Sequence, residues 1–426
     1  MRISVIGAGY LGVTHAACMA ELGHEVVACD VDAAKIEILK QGRVPFFEPD
    51  LAQLVAKHTA SGQVRWETDP AEAIAAGAQL HFICVGTPQQ AGSPAADVSA
   101  VFAAVDGLAS HIRAAGESGH VIVGKSTVPV GTAAALQERV GDVAEVVWNP
   151  EFLREGHAVG DTLNPDRIVT GTRDGAPSSA LREVYAPLAD VPWIETDIPT
   201  AELIKVSANT FLAAKISLLN LVGEVCEAAG ADVHTVSRAL GFDARIGNKH
   251  MRAGLGFGGG CLPKDIRAFA HRGEELGVDM SLVHAVDAVN QRRRARVVGW
   301  AGEMLGGVQR RRITVLGAAF KPNSDDVRDS PSLAVARALV TAGARVTVYD
   351  PKATVSDLPQ AESVRAALLD AELVIIGTDW PQFADLKPKK VGKWVSRRLL
   401  IDARAVLPTA TWQEAGWEVR TIGRGY

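Results

Sequence analysis

A chain of 426 residues that is 47% hydrophobic, poor in aromatic residues and carries a formal net charge of -5 is too long for one ordinary core and implies roughly two to four domains. The acidic balance argues against the broad basic face of a nucleic-acid binder, so any phosphate site must be local. No apolar run reaches the roughly 20 residues of a membrane span, and Cys18, Cys29, Cys84, Cys226 and Cys261 contain no C-x-x-C pair and leave an odd count, against both a disulfide framework and a zinc knuckle.

The opening MRISVIGAGYLG runs straight into an apolar strand, without the charged region and cleavage site of a signal peptide, so a cytoplasmic location is expected. Within it Gly7, Gly9 and Gly12, with Tyr10 and Leu11 between them, fit G-x-G-x-x-G. A strand precedes, a helical stretch follows, and Asp30 ends the next strand, where a dinucleotide fold places an acid for the ribose 2′-hydroxyl. A carboxylate there repels a 2′-phosphate, which favours NAD over NADP; a purely structural turn is the alternative.

Two further strands end in loops with polar side chains: HFICVGTP at Gly86-Thr87, and HVIVGKSTVPVGT at Lys125-Ser126-Thr127, which would deliver a hydroxyl to the cofactor crevice. In NPEFLREG, Asn149 can cap a helix with Pro150 at its first position, setting Glu151 and Glu155 on one face. Carboxylates serving only the helix dipole are the alternative.

From about Pro199 to Gln309 long helical periodicity takes over. The segment AELIKVSANTFLAAKISLLNLVGEVCEAAG is apolar nearly all round and must be covered, by the flanking domains or by a second copy. Lys205 and Asn209 lie one turn apart on it, and a buried lysine needs a partner or a purpose; a local hydrogen bond between the two is the plain reading. GFGGGCLPKD then sets Cys261 after four glycines in five places and ahead of Lys264-Asp265. A nearby cation favours thiolate and the glycines admit a ligand, whereas a buried cysteine beside a turn is the alternative. The run Arg292 to Arg294 is expected on a solvated helix face.

RITVLGAAFKP, Arg312 to Pro322, echoes RISVIGAGYLG, and each is followed by a helical stretch and a strand ending in an aspartate, Asp30 or Asp350. The fold class expected is therefore α/β, with two Rossmann-like doubly wound domains joined by a long central helix and a helical dimerisation region. The boundaries are 1–198, 199–309 and 310–426. The second copy keeps only Gly317 of the three glycines, so a second dinucleotide is not expected. Lys321 and Arg328 in FKPNSDDVRDSPS instead suit a nucleotide diphosphate at the strand's carboxyl end, unless they merely pair with Asp325 and Asp326. The eleven histidines form no H-x-x-x-H pair and no cluster with Cys or carboxylates, so neither a metal site nor a Ser-His-Asp triad is indicated.

Taken in order and at comparable spacing, GAGYLG with Asp30, VGTP at Val85 to Pro88, KSTVPVGT, NPEFLREG, the Lys205–Asn209 helix, GFGGGCLPKD and FKPNSDDVRDSPS resemble the UDP-glucose/GDP-mannose dehydrogenase family over essentially the whole chain. The resemblance implies NAD contacts from the Gly7–Gly12 loop, Asp30, Lys35, Thr87, Thr127 and Glu155, with Lys264 and Arg328 helping to hold cofactor and subunit positions. It makes Cys261 the nucleophile, Lys205 and Asn209 the stabilisers of oxyanions, and Asp265 and Thr127 the organisers of a water with Glu151. Substrate contacts would come from Glu151, Phe152, Leu153, Arg154, Glu155, Lys205, Asn209, Gly254, Leu255, Gly256, Phe257, Gly258 and Lys321, and Arg245 would reach the site of a dimer mate. Phe257 and His250 depart from the residues usual in the family at these places. The implied activity is NAD-dependent four-electron oxidation of UDP-glucose to UDP-glucuronate by a homodimer, with GDP-mannose or UDP-N-acetylmannosamine as alternative substrates. A two-electron hydroxyacid dehydrogenase, which needs no Cys261, and a non-catalytic sensor of NAD and sugar nucleotide are the rival readings.

Overall fold

The structure, a computed structural model, describes residues 1–425. It divides into two units, Met1–Ala208 and the chain from Asn209 onward. The first carries β1 (Arg2–Ile6), β2 (Glu25–Cys29), β3 (Val64–Glu67), β4 (Leu80–Ile83), β5 (His120–Gly124), β6 (Ala144–Trp148), β7 (Ile168–Thr172) and β8 (Trp193–Asp197); the inner apolar runs are strands because both of their faces are covered, while the edge strands β3 and β8 are partly exposed. Together the strands form one sheet in the order β3-β2-β1-β4-β5-β6-β7-β8. All neighbours are parallel except β6 and β7, a junction the sequence did not announce. One face packs Ile3, Val5, Val13, Met19, Leu80 and Phe82; the other packs Ile6, Val27, Ile83, Leu108, Ile122 and Trp148. Near-continuous apolar strands of this kind mark a parallel sheet covered on both sides. The order reverses between β1 and β4, and the carboxyl ends of strands at such a switch point form a crevice for ligands.

The second unit carries β9 (Arg312–Leu316), β10 (Arg345–Tyr349), β11 (Leu373–Ile376), β12 (Leu399–Asp402) and β13 (Glu418–Thr421), all parallel, in the order β10-β9-β11-β12-β13. Its switch point lies between β9 and β11. Before this sheet come the helices Val233–Gly241, Leu262–Glu275 and Ser281–Leu305. The expected pair of doubly wound α/β folds is thus present.

The 32-residue helix Ile198–Ala229 contains the division between the units. In its second-unit part Ala213, Leu219 and Cys226 are buried, whereas Phe211, Leu218 and Val225 are 71%, 59% and 60% exposed. Seven-residue spacing places these three on one stripe. The arginine run departs from expectation: Arg292 pairs with Glu224, but Arg293 is fully buried between Glu224 and Glu227, and Arg294 meets Asp329 at 2.7 Å. Two helix carboxylates draw the central arginine inward, which a local charge run cannot reveal. Among the described residues no helix is long and apolar enough to cross a membrane.

Candidate active site

The loop after β1 is shaped by what its glycines omit. A Cβ on Gly12 would lie 1.7 Å from the Gly7 carbonyl oxygen, so only glycine lets the following helix, Tyr10–Glu21, pack this closely on the strand. A Cβ on Gly9 would meet nothing within 4 Å, which leaves an open approach to the backbone. The helix start has no capping side chain and no acid in its first turn, so its amide groups suit an anion such as a pyrophosphate. Asp30, at the end of β2, accepts hydrogen bonds from the Ala8 amide at 2.7 Å and from the Asp32 amide at 2.9 Å, and pairs with Lys35 at 2.9 Å. These groups fit an NAD ribose and pyrophosphate. Half-buried Tyr10 and Leu11 flank the opening.

In the second unit the corresponding aspartate is already spent. Asp350 accepts from the amides of Ala318, Ala319, Lys352 and Ala353 and from the Trp380 indole. This carboxylate is engaged and two of the three loop glycines are gone, so the second loop keeps the fold of the first and changes its chemistry.

The polar turns after β4, β5 and β6 are tied together. Thr87 donates to the Thr127 carbonyl at 2.7 Å, and Ser126 donates to the Val85 carbonyl at 2.7 Å. NPEFLREG is not the helix its capping residues suggest; helical structure resumes only at Ala158–Leu163. The Asn149 side chain accepts instead from Lys125 at 2.8 Å and from the Tyr185 hydroxyl at 2.8 Å, and donates to the Val169 carbonyl at 2.7 Å. A buried tertiary network therefore takes the side chain that would have capped a helix. The loop turns Glu151 toward Lys205, with carboxylate and ammonium 2.9 Å apart at 14% and 7% exposure, and the Leu153 amide donates to the same carboxylate. Lys205 also lies 5.6 Å from the centre of the Phe152 ring. Arg154 faces outward onto Asp161, and Glu155 is half-buried beside the Tyr10 hydroxyl, whose pKa burial and Glu48 push up.

In the second unit Cys261 stands immediately before the helix Leu262–Glu275 with its side chain exposed, whereas the other four cysteines are buried. Asp265, one turn on and 2% exposed, accepts from Asn209 at 2.7 Å and from Lys264 at 2.5 Å. Lys205 and Asn209 thus each have a carboxylate partner, Glu151 for the lysine and Asp265 for the asparagine. A Cβ on Gly260 would lie 2.3 Å from the Arg328 guanidinium carbon, so the arginine lies directly over the residue preceding the thiol. Arg328 also pairs with Asp326 at 2.6 Å. Lys321 is half-buried against Phe320.

The loop from Gly254 to Gly258 is held by its backbone. The Gly254 amide donates to Asn220, Phe257 exchanges two hydrogen bonds with Asn290, and Arg404 reaches the carbonyls of Gly256, Phe320 and Gly377. Leu255 and the Phe257 ring are buried. Arg245 projects into solvent at 89% side-chain exposure, paired with Asp243 at 2.6 Å.

Sequence reasoning missed several supports. Glu48, 5% exposed, accepts from the amides of Gly156 and Ala158 and from the Tyr10 hydroxyl. Glu202, 2% exposed, accepts from the Gly131 and Ala133 amides at the start of the helix Thr132–Val140. Their partners lie about 70 or more residues away in sequence, except for Tyr10, so spacing gives no signal. Among the described residues no three His, Cys, Asp or Glu side chains are grouped to hold a metal ion.

An open dinucleotide loop at the switch point of one doubly wound sheet, in a chain with an exposed cysteine at a helix start, defines an NAD-dependent oxidoreductase. Models of the UDP-glucose/GDP-mannose dehydrogenase family match three stretches: its NAD binding domain at 1–189, its central domain at 199–292 and its UDP binding domain at 314–409. The chain is 40% identical to UDP-glucose 6-dehydrogenase of Rhizobium meliloti, with all of both chains covered, and 39% identical to one from Bacillus subtilis, covering 99% of this chain and 93% of the other. A UDP-glucose dehydrogenase from Pyrobaculum islandicum superposes with a TM-score of 0.90 at 40% identity, covering 98% of each chain. A UDP-D-ManNAc dehydrogenase from Pyrococcus horikoshii does so with a TM-score of 0.89 at 25% identity, covering 100% and 99%. The chain belongs to the UDP-glucose/GDP-mannose dehydrogenase family.

Proposed function

We propose that the protein oxidises UDP-glucose to UDP-glucuronate, forming two NADH per sugar, with Cys261 as nucleophile. The observation that carries this reading is the exposed thiol of Cys261, one helical turn before a buried Asp265 that Asn209 and Lys264 hold. NAD, held by the Gly7–Gly12 loop and Asp30, supplies the hydride acceptor for both oxidations.

The first oxidation takes a hydride from the sugar C6 and a proton from its hydroxyl, leaving an aldehyde. Sulfur of Cys261 adds to the aldehyde carbon, and the oxygen gains a proton, giving a thiohemiacetal that cannot diffuse away. Loss of the second hydride and that proton gives a thioester. Water then attacks the acyl carbon, the C–S bond breaks, and the thiol and the sugar carboxylate are formed. Lys205 and Asn209 present an ammonium and an amide N–H to the oxyanions that develop. Asp265, Thr127 and Glu151 orient the attacking water. Glu155, Thr87, Lys35, Lys264 and Arg328 serve the cofactor, while Lys321, Arg154, Phe152, Leu153 and the loop from Gly254 to Gly258 serve the sugar nucleotide, with Arg245 acting on the dimer mate.

A homodimer follows from the same reading, because the stripe of Phe211, Leu218 and Val225 is an apolar cost in water that a second copy of the helix would remove. Sedimentation of a Phe211→Glu, Leu218→Glu variant should show monomers where the wild type shows dimers. Five thiols, one of them exposed as the nucleophile, suit the reducing cytoplasm.

The test combines NADH absorbance with chromatography of the product over UDP-glucose, GDP-mannose and UDP-N-acetylmannosamine. One NADH per sugar or a released aldehyde overturns the four-electron reaction. Turnover of another sugar nucleotide alone keeps the chemistry and replaces the substrate, and binding of both ligands without turnover returns the sensor reading.

A further inference from the structure

Lys125 follows the last residue of β5 and is 6% exposed. Its ammonium donates to neutral acceptors: Asn149 Oδ1 at 2.8 Å, the Asn149 carbonyl at 3.3 Å and the Tyr185 hydroxyl at 3.3 Å. It also lies 5.6 Å and 5.9 Å from the ring centres of Phe82 and Tyr185. Among the described residues no carboxylate forms an ion pair with it. A buried cation ordinarily demands one, so a lysine solvated by an amide, a phenol and two ring faces is an expensive way to fill a core. Its position gives a reason. Lys125 precedes Ser126-Thr127, Asn149 precedes Pro150-Glu151, and Asn149 is itself locked by Tyr185 and by the Val169 carbonyl.

We propose that Lys125 is a positioning residue: through Asn149 it fixes the turn bearing Glu151 to the turn bearing Thr127, and its charge is part of the field in which the Glu151–Lys205 pair works. This rests on the proposed function, in which Thr127, Glu151 and Lys205 act in the reaction. Burial pulls Lys125 down to about 8, the Glu151 carboxylate opposes that fall, and the Lys205 ammonium reinforces it. The remaining groups that face it are neutral there. Burial pushes the Cys84 thiol up to about 12, raises the Tyr185 phenol and lowers His15 well below the usual imidazole range. As pH rises through about 8 the Lys125 charge is lost, and turnover should fall with it.

The experiment measures kcat and KM for UDP-glucose and NAD from about pH 6 to 10 in the wild type, Lys125→Met and Tyr185→Phe. Lys125→Met should lower kcat by roughly 10²-fold, the scale of a ~1 Å misplacement, with KM changed by less than about threefold. It should also remove the alkaline limb. Tyr185→Phe keeps the ring and deletes one acceptor of the ammonium, so the charged form loses support and the limb moves to lower pH. If Lys125→Met does not fold, the Tyr185→Phe profile decides. An active wild type whose alkaline profile is unchanged in Tyr185→Phe, or a folded Lys125→Met with wild-type kcat, overturns this inference alone. A wild type that forms no NADH from any of the three sugar nucleotides overturns the proposed function instead.

Discussion

Replacing Lys205 by alanine separates stability from catalysis. The Glu151 and Lys205 side chains are 14% and 7% exposed and 2.9 Å apart, so the variant leaves a carboxylate with little water in place of its ammonium. Removing one partner of a buried pair costs about 3–5 kcal/mol. The residual exposure of Glu151 puts the expected loss at the lower end, about 3 kcal/mol. Lys205→Ala with Glu151→Gln removes the stranded charge and should recover most of that loss. Turnover should behave differently. Lys205→Ala should lower kcat by about 10² or more, the effect of deleting one preorganised oxyanion partner, and the double variant should stay as slow. Urea unfolding followed by fluorescence gives the first quantity and initial NADH formation the second. A double variant that regains wild-type kcat would refute the reasoning, because Lys205 would then serve only to neutralise Glu151. An alanine variant as stable as the wild type would show that the pair contributes nothing to the fold.

Cys261→Ala should abolish acid formation while leaving NAD and UDP-sugar affinities largely intact, and rapid-quench mass spectrometry of the wild type should find the sugar bonded to this residue; steady acid production by the variant excludes the thiol. Asp30→Ala removes a ribose acceptor and unmasks the Lys35 ammonium 2.9 Å away, so titration of both cofactors should show weaker NAD binding and a narrower gap to NADP; an unchanged ratio places the ribose elsewhere. Asp402 is buried and pushed up to about 6 by that burial, against the pull of the backbone amides of Leu407 and Arg404. The folded protein therefore keeps a proton that the unfolded chain has lost between about pH 4 and 6, and stability falls as pH rises through that window by roughly 3 kcal/mol. Asp402→Asn should flatten this part of the Tm profile, and an unaltered profile would assign the slope to other groups.

What was legible in the sequence was what local offsets encode. Glycines at 7, 9 and 12 after an apolar run fix a strand, a tight turn and a helix within a dozen residues, and Asp30 and Asp350 mark the ends of equivalent strands. The thiol and its companions Lys264 and Asp265 are also neighbours in the chain. What stayed hidden depends on partners far apart. Asn149 carries all the local marks of a helix cap, but Lys125 and Tyr185 take its side chain. Arg293 sits in a run of charge and is buried by two glutamates of another helix. Glu48 and Glu202 look like ordinary surface acids until the fold brings backbone amides from across the domain to their oxygens.

The Asp350 carboxylate, turned inward on its own loop, sets a rhythm for the proposed reaction. In that reaction the Gly7–Gly12 loop serves two hydride transfers in turn, so each turnover contains an enforced pause in which spent cofactor departs and fresh cofactor arrives. The half-oxidised sugar must wait through that exchange. A covalent tether to the protein makes the delay safe, so the silenced loop of one domain explains why the other half of the chemistry needs a nucleophile that can hold on. NADH rebinding during the pause should then compete with NAD for a protein already carrying its sugar.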